Sequence, residues 1–256
     1  MASDRASRVA VAADVQGNAI ALAAVAEEVV AEKPDLLVFL GDLTWGPLPE
    51  ETWTIVRKLD ESFAGRTLFV RGNAERALCE LRRRPAQPGT SPRERWMLAH
   101  HAVATLDALE DFDKDVVVDV DGLGQIRFCH GSPRSDEELI TPRTPEERMR
   151  ELMAGAPEQI LVSAHTHIQF DRVVEGVVRS VNPGSVGMPY EGEAGAFWAL
   201  LGPEVNLRRT EYDLELAIAR YRESSYPLAE AMVTTLLEPP TPTTVIAHAE
   251  ALQFSG

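Results

Sequence analysis

The sequence predicts an α/β protein built on a parallel sheet, and three observations carry that prediction. Strand-length apolar runs alternate with stretches of helical spacing in the first 83 residues. The earliest runs are apolar at every position instead of every second one, the pattern of strands covered on both faces. The links between them are short, and a strand–helix–strand unit with short links sets its strands parallel.

Each element follows in order. "RVAVAADV" (8–15) reads as a buried strand, and "NAIALAAVAEEVVAEK" (18–33) as a helix stopped by Pro34. "DLLVFLGD" (35–42) is a second buried strand. "PEETWTIVRKLDESF" (49–63) opens with proline and acids, which suit a helix N-terminus. "RTLFVRGN" (66–73) is a third strand, and "AERALCELRRR" a third helix. The pattern breaks at "RRRPAQPGTSPRE" (82–94), and "RERWMLAHHAVATLDAL" reads as a helical excursion off the core. "KDVVVDV" and "QIRFCHGSP" are strands joined by "DGLG", a hairpin signal. A helix at about 145–154 leads to the strand "QILVSAHTH" (159–167). Three short strands are read in "DRVVEGVVRSVNPGS", "AGAFWALLG" and "EVNLRRTEY". "DLELAIARYRESSYPLAEAMVTTLL" (213–237) is helical, and "EPPTPTT" separates it from a short C-terminal piece. The domain expectation is one core over 1–212, with an excursion at 82–108 and a helical extension over 213–256.

Composition narrows the function. The chain has 256 residues and 45% hydrophobic content, normal for a globular protein. No apolar run approaches the roughly 20 residues of a membrane span. The start "MASDRASR" lacks the apolar core of a signal peptide, so the cytoplasm is the expected location. A formal net charge of −15 argues against nonspecific nucleic-acid binding. It leaves phosphate substrates open, because bound cations can dominate a site's charge. The two cysteines, Cys79 and Cys129, have no metal or redox spacing and read as buried thiols.

The chemistry lies at the strand ends. Asp14, Asp42, Arg71 with Asn73, His130, and His165 with His167 each end an apolar run. Ligands of open α/β sheets gather at the carboxyl ends of strands, so five such endings can converge on one spot. Two carboxylates, one amide oxygen and three imidazoles suit Mn²⁺, Fe, Zn²⁺ or Ni²⁺ better than Ca²⁺ or a thiolate-selected metal. The donors exceed one ion's needs, which favours two metals sharing a carboxylate. Taken singly, each residue has a plainer role: a strand-end Asp often caps a helix, and an Asn often fills a turn. His100, His101 and His248 are expected to be structural.

These residues also carry a resemblance. "ADVQGN", "GDLTWGPLP", "RGNAE", "CHGSP", "SAHTH" and "NPGSVGMP" resemble, in order, the motif series of calcineurin-like metallophosphoesterases. The bacterial subgroup that resembles diadenosine tetraphosphate hydrolases and small bacterial phosphodiesterases is the nearest in pattern. The resemblance implies a four-layer αββα sandwich of two mixed β-sheets flanked by helices. It makes Asp42 a bridging carboxylate. Asp14, His167 and the position of Gln16 would hold a first metal, and Asn73, His130 and His165 a second. Asp42, Asn73 and His130 are then expected to carry catalysis, and Arg71, Asn73 and His130 to contact substrate. The turn from Asn182 to Gly187 would lie close to the site.

Three departures stand out. Ala74 replaces a histidine that assists the leaving group in many relatives, and an alanine side chain transfers no proton. Ala164 replaces a glycine. Gln16 replaces an imidazole with a neutral amide, a poorer donor, so either the first site binds weakly and prefers Mn²⁺ or Mg²⁺, or only the second site fills. The plainer alternative is that Gln16 turns away and hydrogen-bonds the next loop. The expected activity is hydrolysis of a phosphodiester, nucleotide or phosphoanhydride by a dimetal-activated water, acting on a small molecule. Alternatives are a phosphomonoesterase or protein phosphatase, or a non-catalytic nucleotide- or partner-binding protein in which Gln16 has weakened the site. The oligomeric state, homo-oligomer included, is left open by the sequence.

Overall fold

A computed structural model describes residues 4–84 and 89–253. Strands β1 (Asp4–Ala6) and β2 (Val9–Ala12) precede helix α1 (Ala19–Glu32). Then come β3 (Leu36–Leu40), α2 (Pro49–Ser62), β4 (Thr67–Val70) and α3 (Asn73–Arg83). Helices α4 (Pro92–Ala99) and α5 (Val103–Glu110) lead to the hairpin of β5 (Asp115–Val120) and β6 (Gly124–Cys129). After α6 (Glu146–Leu152) and β7 (Ile160–Val162) come two more hairpins. They are β8 (Gln169–Val174) with β9 (Val178–Pro183), and β10 (Ala196–Leu201) with β11 (Val205–Thr210). Helices α7 (Leu214–Glu223), α8 (Ala229–Leu237) and α9 (Pro242–Gln253) follow.

The strands form two mixed sheets, ordered β1-β5-β6-β7-β9-β8 and β11-β10-β2-β3-β4. The three parallel strands expected at the start are β2, β3 and β4, with Val11 beside Val38 and Val38 beside Leu68. The all-apolar composition of β2 and β3 has a direct cause. Val9, Val11, Val38 and Leu40 face the layer between the sheets, where they meet Ile126, Phe128, Val162 and Leu201. The alternate residues Ala10, Ala12, Leu37 and Phe39 pack beneath helices, with Leu22 and Val25 of α1 and Val56 of α2. On the far side of the six-stranded sheet, Met149 and Leu152 of α6 cover Cys129 and Leu161. Helices, sheet, sheet and helices therefore make four layers. Both cysteines are free and buried.

Four local readings differ from the structure. β1 was not expected; its three residues are held by parallel pairing to β5, a non-local partner. The stretch 171–185 is a hairpin rather than one strand, because Gly176 turns the chain at φ +67°. The helical stretch 93–109 is two helices. His100 and His101 place ring nitrogens 2.8 and 2.7 Å from the carbonyls of Trp96 and Met97, satisfying the end of α4. The stretch 213–237 is likewise broken, with Ser225 at φ +56° and Pro227 beyond it.

Within the excursion, residues 85–88 lie outside the described residues. Its described part packs on α2 and α3: Glu50 accepts from the Ala102 N–H and the Thr105 hydroxyl, both at 3.0 Å. At the C-terminus, α7 meets α1, Arg220 pairs with Glu51 at 2.6 Å, and Glu250 accepts from the Thr141 hydroxyl at 2.6 Å. Among the described residues, no helix is long and apolar enough to cross a membrane.

Candidate metal centre

The carboxyl ends of β2, β3 and β4 in one sheet and β6 and β7 in the other meet at one edge of the sandwich. Backbone bonds stitch their loops together: the Asp14 N–H reaches the Gly41 carbonyl at 3.0 Å, and the Gln16 N–H reaches Asp42 at 2.9 Å. The Ala164 N–H reaches the His130 carbonyl at 2.7 Å, which ties the loops after β6 and β7 together. The turns are tight. Asp14, Gln16, Asp42, His165 and His167 all have φ between +51° and +65°, five of the eight non-glycine residues with positive φ among the described residues. That conformation costs on the order of 1–3 kcal/mol per residue and persists where surrounding structure enforces it, which is typical of functional sites.

The side chains fall into two adjoining groups. In one, His130 Nε2 lies 3.0 Å from Asn73 Oδ1, 3.2 Å from His165 Nδ1 and 3.5 Å from Asp42 Oδ1. Ligand atoms of Asp42, His130 and His165 all lie within 4.8 Å of one another. In the other, His167 Nε2 is 3.3 Å from Asp14 Oδ1. Gln16 stands at the junction, its Nε2 donating to Asp42 Oδ2 at 3.0 Å. Every residue expected at the metals is therefore gathered at one place, and Gln16 faces inward.

The donor set demands positive charge. His130 and His167 each spend Nδ1–H on a backbone carbonyl, Leu40 at 2.8 Å and Met188 at 2.7 Å. In the neutral ring, the form a metal binds, that leaves each Nε2 with a lone pair aimed at oxygen atoms. Among the described residues, Asp14 Oδ1 is buried without a hydrogen-bond partner. Burial opposes the ionisation of Asp14, but His167, His130 and His165 outweigh it and hold its carboxyl below the usual range. Burial likewise opposes charging of His130 and His167, yet the aspartates raise both. His165, half-buried, is pushed down to about 4 by desolvation and the neighbouring His130 charge. Two buried carboxylates among converging lone pairs are what a divalent cation satisfies, so the residues fit the group.

Residues around the ligands set their positions. Glu75, quoted in "RGNAE" but given no role from sequence, is 1% exposed and accepts N–H groups of Asp42, Leu43 and Gly72, each at 2.8 Å. Burial and the Asp42 charge push its pKa up to about 7 against those bonds. Gly72 is required, since a Cβ there would sit 2.2 Å from Asp42 Oδ1. Ala74 contributes its backbone N–H to that oxygen at 2.9 Å. In the turn 182–187, Asn182 donates to the Ala164 carbonyl at 2.9 Å and Ser185 Oγ to the Asp14 carbonyl at 2.7 Å. The turn braces the ligand loops from behind. A buried polar residue beside a ligand motif was the available signal for Glu75 and Ser185, but their partners are distant in sequence.

Arg71 lies beside the group at His130, with no ion pair among the described residues. Tyr190 stacks on His167 at 4.9 Å, and Arg93 covers the Trp45 ring at 5.1 Å. His101 Nε2 lies 2.9 Å from Thr44 Oγ1 and His101 remains a structural group.

No curated protein matches this chain. A crystal structure of a metallophosphoesterase from Sphaerobacter thermophilus is 25% identical, with a TM-score of 0.71 over 90% of this chain and 99% of the other. A hypothetical protein from Pyrococcus horikoshii OT3 is 22% identical, with a TM-score of 0.74 over 91% and 99%, and shares the fold. The model of the calcineurin-like phosphoesterase superfamily domain matches residues 8–201, from the first long strand through β10. That span holds every strand end gathered at the candidate centre, and the chain belongs to the calcineurin-like phosphoesterase superfamily.

Proposed function

We propose that this metallophosphoesterase hydrolyses a phosphodiester or phosphoanhydride of nucleotide type with two divalent ions, Mn²⁺ foremost, held on either side of Asp42. The observation that carries the reading is the buried, unpartnered Asp14 oxygen facing lone pairs of two fixed imidazoles. Asp14, His167 and Gln16 would hold one ion, and Asn73, His130 and His165 the other. Bound there, the ions would supply an acidified water and offset the charge of phosphate oxygens.

The chain's own residues set the limits of the chemistry. Leu40 and Met188 carbonyls fix the tautomer and the plane of His130 and His167. Asn73 and His130 are the residues we assign to contact a phosphate oxygen, with Arg71 lining the same cavity as His130. Ala74 presents a methyl where a proton donor would stand, so no side chain at that position protonates the leaving group. Substrates with an acidic leaving group, such as a nucleotide phosphate or nitrophenolate, need no such donor.

A second reading rests on one contact. The Gln16 amide donates to Asp42 Oδ2, a bond that competes with coordination there. A non-catalytic nucleotide- or partner-binding protein is therefore the alternative. The test is metal content of the purified protein, then turnover of bis(p-nitrophenyl) phosphate and diadenosine tetraphosphate with added Mn²⁺ for wild type and Asp42→Ala. Metal-dependent turnover abolished by Asp42→Ala supports the enzyme. Turnover absent, or indifferent to that substitution, rejects it.

A further inference from the structure

Beside the metal centre, on the flank of His130, lies a second cavity of about 190 Å³. Its wall is mostly basic. Arg71, Arg76, Lys114 and Arg134 line it with His130 and one carboxylate, Asp136. Four cations around one small cavity run against the composition of a chain with formal net charge −15.

Two of the four are already neutralised. Arg76 pairs with Asp136 at 2.8 Å and Glu137 at 2.5 Å, and Arg134 pairs with Glu138. Arg71 and Lys114 have no carboxylate partner among the described residues. The Arg71 Nε is buried with no hydrogen-bond acceptor among the described residues. A buried guanidinium nitrogen without an acceptor is costly, and an anion would bring the missing oxygen. The fold sets this pair deliberately close: Val70 bridges Asp113 between the sheets, and the Arg71 N–H donates to the Asp113 carbonyl at 2.7 Å. Lys114 is the next residue. His130 belongs to both the cavity and the ligand cluster, so an anion here would neighbour a phosphate at the metals.

We infer that this cavity is a subsite for a second phosphate, adjacent to the scissile one, with Arg71 and Lys114 as its free cations. The inference rests on the phosphoesterase reading and narrows it to phosphoanhydrides, since a diester with a single phosphate leaves the cavity unfilled. Lys114 is solvent-exposed and unpaired, so its replacement leaves the fold intact.

Two measurements test the subsite. In the first, kcat/KM is compared for diadenosine tetraphosphate and bis(p-nitrophenyl) phosphate. Lys114→Met is expected to lower the anhydride-to-diester ratio at least about tenfold, the weight of one charge-assisted hydrogen bond, and Lys114→Arg to restore most of it. An unchanged ratio overturns the inference. In the second, metal-free protein is titrated calorimetrically with inorganic pyrophosphate at low salt. Binding weakened about tenfold by Lys114→Met supports the subsite; no binding, or equal binding by the variant, overturns it. Pyrophosphate binding of the expected kind without Mn²⁺-dependent turnover of either ester would reject the phosphoesterase reading while supporting the anion site.

Discussion

Replacing Glu75 tests how the ligand loops are held. Its Oε1 accepts the Leu43 N–H, and its Oε2 accepts those of Asp42 and Gly72, all at 2.8 Å and all buried. A glutamine has one acceptor oxygen. Placed where Oε2 lies, it keeps two bonds and turns its NH₂ toward the Leu43 N–H, leaving a buried donor unmet at about 1–3 kcal/mol. Part of that is offset, because the neutral amide escapes the burial and the Asp42 repulsion that push the acid's pKa up to about 7. At pH 8 a net loss of about 1–2 kcal/mol is expected for Glu75→Gln, a Tm drop of roughly 2–4 °C per kcal/mol for a chain of this size. Glu75→Ala abandons all three donors and is expected to lose at least about 3 kcal/mol. Because Glu75 fixes the backbone that aims Asp42, Mn²⁺ affinity should fall about 10–100-fold in Glu75→Gln. Urea unfolding of the metal-free protein and a calorimetric Mn²⁺ titration measure the two effects. Stability within about 0.5 kcal/mol of wild type, together with unchanged Mn²⁺ affinity, would refute the reasoning.

Gln16→His should tighten Mn²⁺ binding and raise activity at low Mn²⁺, because imidazole replaces a weaker donor; no change in either places Gln16 outside the coordination sphere. Gly187→Ala would put a Cβ 1.7 Å from the Val15 carbonyl, so it should cost about 1–3 kcal/mol and displace the turn carrying Asp14 and Gln16; an unaltered Tm contradicts this. Burial holds the His101 imidazole below its ordinary pKa of 6.5, so the unfolded chain binds more protons in acid. The stability this gives is present above pH 6.5 and is lost as pH falls below it. His101→Gln should flatten the Tm profile between pH 7 and 5, and parallel profiles for the two proteins would contradict it.

Much of the fold was legible because its signals are local. The all-apolar runs of β2 and β3 announce burial on both faces, and each ends on a polar residue that an apolar strand does not need. Asp14, Asp42, Asn73, His130, His165 and His167 could be named from that pattern and the motif order. β1 could not, since three polar and small residues become a strand only by pairing with β5, more than 100 residues away. The hairpin at Gly176 was read as one strand because short apolar pairs, Val173–Val174 and Val177–Val178, flank the turn closely, and the break after α4 depends on two imidazoles reaching back to carbonyls.

By itself the sequence determined which side chains end the strands, and therefore the chemistry available to the site. Only the tertiary structure decided which of those ends meet. Strand order and sheet packing are non-local, and they bring β6 and β7 of one sheet against β2, β3 and β4 of the other. The same packing gives Gln16 its bond to Asp42, makes Glu75 the anchor of three loop amides, and sets Arg71 beside Lys114 across the sheet junction. These roles exist only between segments that the chain itself keeps far apart, so no local pattern could encode them.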